Sequence, residues 1–312
     1  MRAFLFPGQG SQTVGMGAAL AEASRAAREV FGEVDEALGQ GLFRLMREGP
    51  DEDLRLTENA QPAIMAHALA VFRALTFEGG VELSKSANFV AGHSLGEYSA
   101  LCAAGSFDLA TTARLLKLRG RAMQAAVPVG EGAMAALLGA DIELARRIAD
   151  AASEGEVCTV ANDNDPSQVV LSGHKGAIDR AIALAKDMGA KRAISLPVSA
   201  PFHCPLMQPA ADAMRDALDE VVLEAPAVPL YANVTAAPEV DPEVIRRRLV
   251  EQVTGMVRWR ESIANMVAAG VDEFVELGGK VLGPMVKRIV PDAKVTSVVT
   301  IEDVEALARE LS

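Results

Sequence analysis

Cysteine is almost absent from this sequence. Three occur in 312 residues, Cys102, Cys158 and Cys204. An odd count without metal-ligand spacing excludes a disulfide framework and a cysteine-based metal centre. Long apolar runs are missing as well. None nears the ~20 residues that a membrane helix needs. The apolar start, MRAFLFPGQG, is too short for a secretion signal and turns at once into glycines. The expected location is therefore the cytoplasm, with reduced thiols. A glycosylation sequon there, Asn233-Val234-Thr235, has no meaning. Positive charge is under-represented: 30 Lys and Arg face 42 Asp and Glu, a formal net charge of −12. That argues against nucleic acid as a general partner. Aromatic residues make up only 4% of the chain, whereas half of it is hydrophobic and alanine is abundant. This is the composition of helix-rich α/β enzymes, not of disordered chains.

What is present is an alternation of strand and helix patterns. Residues 2–6 read as a strand, followed by helical patterns around 17–38 and 60–77. A second strand at 87–91 leads into Gly92-His93-Ser94-Leu95-Gly96. Asp108 is placed to cap a helix running to about Ala126. Pro128-Val129-Gly130-Glu131-Gly132 breaks the pattern. Residues 133–196 then read β-α-β-β-α-β, the order of a ferredoxin-like unit. Pro197 and Pro201 mark the return. Helices follow around 206–221, 242–254 and 258–269, with strands at 228–232 and 273–277, the last ending in Gly278-Gly279. The expected fold is α/β. A large α/β-hydrolase-like domain with a mainly parallel sheet spans 1–128 and 198–312, and a small ferredoxin-like subdomain is inserted at 129–197.

The stretch 92–96 is a G-x-S-x-G match. In a nucleophile elbow a strained strand-to-helix turn pushes a serine hydroxyl out at the top of a sheet, with small residues on either side. The flanks fit: an apolar strand precedes Ser94 and a helical pattern follows it. The bland alternative is a glycine-bounded turn whose serine caps the helix.

Serine at its free pKa needs a base. The chain has four histidines. His93 adjoins Ser94, and its side chain should point away from the serine's. His67 lies in an apolar helical pattern, as a core histidine would. His174 sits on a turn of the small unit. Elimination leaves His203, in Ser199-Ala200-Pro201-Phe202-His203. Between Ser94 and His203 the best-placed acids to orient that imidazole are Asp163 and Asp165, and neither convinces. A backbone carbonyl is the alternative. For an oxyanion, the residue after the nucleophile, Leu95, supplies one N–H, and the Gly8-Gln9-Gly10 loop is placed to supply another.

PGQGSQTVGMG, GHSLGEYSAL, LRGRAMQ, GAMAALLG, SGH, VSAPFHCPLM, YANVTA and QVTGMVRW occur in one order along the chain. Together they closely resemble the malonyl-CoA:acyl-carrier-protein transacylases, over essentially the whole length. The resemblance implies a malonyl transfer that supplies fatty acid synthesis. Ser94 would be the nucleophile and His203 the base, oriented by the backbone carbonyl of Gln252. Gln9 and Leu95 would form the oxyanion hole. Arg119 would grip the free carboxylate of malonyl, although taken alone it reads as a surface arginine on a basic helix. Asn162 would sit near the active-site mouth. Phe202 stands where many bacterial members carry serine, and resembles malonyl-selective acyltransferase domains of polyketide synthases. Gly255-Met256 also departs from the usual pattern, next to Gln252. The implied partners are malonyl-CoA and acyl carrier protein, whose phosphopantetheine arm it carries itself; no cofactor and no metal are expected of the enzyme. Arg114–Arg121, with Lys280, Lys287 and Arg288, are candidates for a positive patch facing an acidic carrier. A thioester hydrolase with water as acceptor and a non-catalytic carrier-binding protein are the rival readings.

Overall fold

The structure, a computed structural model, describes residues 1–198 and 200–311. Among the described residues the ten strands are β1 (Arg2–Phe6), β2 (Phe89–Gly92), β3 (Gly132–Leu138), β4 (Cys158–Asp165), β5 (Gln168–His174), β6 (Arg192–Ser195), β7 (Leu230–Ala232), β8 (Ala237–Glu239), β9 (Glu273–Leu277) and β10 (Lys294–Val298). They form two sheets. One has six strands in the order β10-β9-β1-β2-β7-β8. All its pairings are parallel except β7 with β8. The other has four strands in the order β4-β5-β3-β6, and every neighbour is antiparallel.

The composition of β1 explains the larger sheet. Ala3, Phe4, Leu5 and Phe6 are all fully buried. Successive side chains of a strand point to opposite faces. Phe4 and Phe6 accordingly join one hydrophobic core, with Val90, Val275 and Leu277. Ala3 and Leu5 join another, with Ala91, Phe274 and Trp259. A parallel sheet covered on both faces needs this continuous apolar run in place of an alternating one. The smaller sheet is two-faced in a different sense. Ala135, Leu137, Val169 and Leu171 pack under the helices Ile142–Ser153 and Lys175–Ala185. Met134, Ala136 and Val170 turn to the main core instead.

Local chemistry accounts for the departures from the sequence reading. The helical pattern at 17–38 is two helices, Ala18–Ala23 and Arg25–Leu38. Ser24 leaves the helical conformation between them, and its Oγ accepts from the Ala27 N–H at 3.0 Å. Asp108 caps the helix Leu109–Ala125 through the Thr111 N–H at 2.6 Å. β4 continues to Asp165 through register shifts at Val160/Asn162 and Asp163/Asp165. Beyond Gly279, where the sequence reading assigned no helix or strand, the chain forms the helix Leu282–Ile289, strand β10 and the helix Ile301–Leu311.

Candidate active site

The turn from β2 to the helix Gly96–Ala103 carries Ser94 in the left-handed region, at φ 54°. Few residues other than glycine adopt this conformation, and it marks strain held by its surroundings. The reason for the two flanking glycines is steric. A Cβ on Gly92 would lie 1.9 Å from the Gly96 carbonyl, and one on Gly96 would lie 2.3 Å from the Phe6 carbonyl oxygen. Asn233, at the end of β7, pins the turn from below. Its Oδ1 accepts the Ser94 N–H at 2.8 Å and its Nδ2 donates to the Gly92 carbonyl at 2.7 Å. Asn233 is the sequon asparagine, and it is buried.

Ser94 Oγ is 2.7 Å from His203 Nε2. The other ring nitrogen, Nδ1, lies 2.8 Å from the backbone oxygen of Gln252. A carbonyl only accepts, so Nδ1 carries the hydrogen and Nε2 turns a lone pair to the serine. Helix geometry supplies that free carbonyl. Gln252 lies in the last turn of the helix Pro242–Thr254, where carbonyls have no partner four residues on. The Gly255-Met256 departure therefore lies just past the helix end and leaves this contact in place. Burial pushes the His203 pKa down to about 3, and the Arg119 charge adds to the shift. The imidazole is thus neutral at ordinary pH and available as a proton acceptor.

The two acids weighed as orienting groups are committed elsewhere. Both carboxylate oxygens of Asp163 accept from Arg260 Nε at 3.0 Å. Asp165 accepts from Arg288 Nε at 2.7 Å and from Ser167. The other histidines are committed too. His67 Nδ1 meets the Gly278 carbonyl at 3.1 Å, and burial holds its pKa at about 4. His93 Nε2 meets Asn164 Oδ1 at 2.9 Å, not Ser94. His174 Nδ1 accepts the Val157 N–H at 2.9 Å.

Arg119 is not on the surface. It is 1% exposed. Its Nη1 donates to Gln61 Oε1 at 2.8 Å, and its Nη2 donates to Gln252 Oε1 at 2.8 Å and to Ser94 Oγ at 3.1 Å. The guanidinium also sits 5.8 Å from the Tyr98 ring centre. Among the described residues no carboxylate lies within salt-bridge distance of it, and its Nε has no partner. A buried cation with only neutral contacts is a site for an anion. Helical spacing was the missed signal. Arg119 stands three after Leu116 and four before Met123, on the buried stripe of its helix.

One cavity of about 290 Å³ is lined by Gln9, Ser94, Leu95, Arg119, Asn162, Phe202 and His203, with Gln61, His93 and Met134 also at its wall. Gln252 lies behind it, fully buried. Among the described residues neither the Gln9 nor the Leu95 backbone N–H has an acceptor. Leu95 immediately precedes the helix Gly96–Ala103, where such N–H groups are free. A larger opening, about 610 Å³, lies by Glu143, Arg146, Asp163, Arg258, Arg260 and Glu261. Its arginines are paired with its own acids, and no serine–histidine pair faces it.

The structure adds Gln61, Glu97 and Asn233 to the site. Glu97 and Asn233 stand inside the quoted motifs, but nothing in their spacing distinguishes them from helix and strand filler. It also corrects the basic segment. Lys117 is buried, with Nζ bonded to Asn59 Oδ1 at 2.8 Å, and Arg119 faces the cavity. Of the basic residues in that run, only Arg114 and Arg121 are exposed.

Comparison with known proteins shows what the whole chain is similar to. The profile of the acyl transferase domain matches residues 3–288. The malonyl CoA-acyl carrier protein transacylase of Escherichia coli strain K12 is 46% identical over 289 residues, covering 92% of each chain. The crystal structure of an acyl-carrier-protein S-malonyltransferase from Bartonella henselae superposes with a TM-score of 0.97 at 54% identity, covering 99% of both chains. A malonyl-transacylase solved in complex with its type II PKS acyl-carrier protein superposes with a TM-score of 0.95 at 39% identity, again covering 99% of both chains. The profile match over residues 3–288, with relatives at 46% and 54% identity over nearly the whole length, places the chain in the acyl transferase family.

Proposed function

We propose that the protein moves a malonyl group from malonyl-CoA to the phosphopantetheine thiol of acyl carrier protein, through an ester of Ser94. The observation that carries the proposal is the placement of the buried Arg119, with no carboxylate in salt-bridge distance among the described residues, within 3.1 Å of Ser94 Oγ, which is itself 2.7 Å from the His203 base. Malonyl differs from acetyl by a carboxylate, and a planar guanidinium binds a carboxylate bidentately.

The chemistry balances through His203. Nε2 takes the Ser94 proton as Oγ bonds to the thioester carbon. The carbonyl pair moves onto oxygen, where the Gln9 and Leu95 N–H groups meet it. Collapse breaks the carbon–sulfur bond, and the CoA sulfur leaves with the proton from Nε2. The carrier's thiol then gives its proton to Nε2 and attacks the ester. The Ser94 Oγ–carbon bond breaks, and Oγ recovers the proton. The Gln252 carbonyl holds the ring in one tautomer throughout. No cofactor is required, since the thioester is the substrate and phosphopantetheine belongs to the partner.

Other parts of this reading rest on placement. Asn162 borders the mouth of the cavity. Phe202 forms part of its wall and leaves less room for a branched acyl group. Phe202→Ala is expected to raise use of methylmalonyl-CoA relative to malonyl-CoA by about tenfold, the usual reach of a methyl-sized pocket change; competition assays with both thioesters measure it. The surface for the carrier draws on Arg114, Arg121, Lys280, Lys287 and Arg288, all exposed. The strand order supports reading the four-stranded sheet as a ferredoxin-like insert at 129–197 in an α/β-hydrolase-like domain of 1–128 and 198–312. A cytoplasmic location fits reduced cysteines; no described helix is long and apolar enough to cross a membrane.

The direct test is intact-protein mass spectrometry after brief mixing with malonyl-CoA. One malonyl adduct, discharged by holo acyl carrier protein, supports the transfer. Steady CoA release without adduct or acceptor makes water the acceptor and overturns it. A pH series adds a second check. The base must be unprotonated, and its pKa of about 3 puts the acid limb there, so activity is lost only as pH falls toward that value. The rate of adduct formation is therefore expected to change less than about twofold between pH 5 and 8, with no limb near the free-histidine pKa of about 6.5.

A further inference from the structure

Beneath the elbow lies a carboxyl group that the transfer chemistry does not use. Glu97, three residues after Ser94, is 1% exposed. Its Oε1 accepts the Asn233 N–H at 2.7 Å, and its Oε2 accepts from the side-chain amide of Gln252. That amide touches three groups, two of them with a fixed role. Its Nε2 donates to Glu97 and, at 3.0 Å, to the Ser94 carbonyl. Its Oε1 accepts from Arg119 at 2.8 Å. A carbonyl only accepts and a guanidinium only donates, so the amide has a single satisfied orientation. Burial pushes the Glu97 pKa up to about 8. In either protonation state both of its oxygens keep a lone pair for these N–H donors.

We infer that Glu97 is a positioning residue for acyl selectivity: through the side-chain amide of Gln252 it fixes the guanidinium of Arg119 that receives the substrate carboxylate. This rests on the proposed role of Arg119. Glu97 never meets the reacting atoms. It acts on the Gln252 side chain, whereas His203 is held by the Gln252 main chain, so the two functions of Gln252 are separable. Glutamine at 97 has almost the same shape, but only one acceptor oxygen. Asn233 claims that oxygen, and the new NH₂ then faces the Gln252 NH₂. Gln252 must turn, and it then presents a donor to Arg119.

The experiment is steady-state and acyl-adduct kinetics with malonyl-CoA and acetyl-CoA. It covers the wild type, Glu97→Gln, Gln252→Met, their double variant, and Arg119→Ala as reference. Glu97→Gln is expected to raise KM for malonyl-CoA about tenfold, the weight of one hydrogen bond to a charged group, with kcat within about threefold. Acylation by acetyl-CoA, which shares only the Gln252 contact with the Ser94 carbonyl, should fall by clearly less. In the Gln252→Met background Glu97→Gln should have no further effect, because the link is already cut. If its melting point shows that Glu97→Gln does not fold, Glu97→Asp takes its place. That change keeps the acid but withdraws it by one methylene, and should show the same malonyl-selective loss. An unchanged malonyl KM, an equal loss with both thioesters, or additive losses in the double variant would each overturn the inference. If Arg119→Ala itself leaves the malonyl-to-acetyl ratio unmoved, the reading of Arg119 fails first, and that result is distinct from a failure of Glu97 alone.

Discussion

Ser94→Ala is expected to take up no acyl group from malonyl-CoA and to transfer malonyl at least about 10⁴-fold more slowly than wild type. The turn keeps its shape in this variant, because Asn233 holds the backbone N–H and not the hydroxyl. What disappears is the oxygen that forms the ester. His203→Ala should cost a similar factor, and the double variant should be no worse than either single change. Two groups joined by a 2.7 Å hydrogen bond act as a unit, so their losses do not add. Quenched-flow transfer to holo carrier protein measures all three. If Ser94→Ala retained the wild-type rate, the covalent route would be wrong. If the losses of the two single variants multiplied, the base assignment would be wrong.

The second large effect concerns Arg119. Arg119→Ala is expected to lower kcat/KM for malonyl-CoA by about 10²–10³-fold, the cost of removing a charged, bidentate partner in a dry site. Acetyl-CoA, which never uses the guanidinium, should change by less than about tenfold, so the preference narrows or reverses. Arg119→Lys should recover little. A lysine ammonium lacks the fork that spans Gln61, Gln252 and the substrate at once. The helix should survive alanine, which favours helices. Rates with the two thioesters, measured side by side, decide the matter. An equal loss with both would mean that Arg119 serves Ser94 through its 3.1 Å contact and not the carboxylate.

Much of this protein was legible in its sequence. The elbow was, because its signal is local: a short apolar strand, a serine between two glycines and a helical pattern after it. The expected mainly parallel α/β arrangement shares that property, since unbroken apolar runs such as AFLF are what a sheet covered on both faces requires. The break in the helical pattern at Ser24 was also local, yet it was missed, because an N-cap serine inside a helical run looks like a tolerated polar residue. The last third of the chain was read more weakly. Lys294–Val298 and Leu282–Ile289 are short and half-exposed, and a short apolar pattern does not separate strand from helix.

The site divides in the same way. Residue type and motif order singled out Ser94, His203 and Leu95, because nucleophile, base and elbow N–H are chemical roles that few residues can fill. Whether a carboxylate or a carbonyl steadies His203 was open in sequence, and the end of a helix 49 residues away decides it. Arg119 carried the same letters whether it faced water or a cavity. Its partners Gln61 and Gln252 stand 58 and 133 residues away, and Glu97 meets the Gln252 amide across 155 residues. Reactive groups and the turns that present them depend on neighbours one to four residues away, and so they can be read along the chain. Which of these groups are buried, paired and aimed at one another is set by contacts between distant segments. Burial and hydrogen-bond partnership arise where distant segments meet, and no local period encodes that meeting.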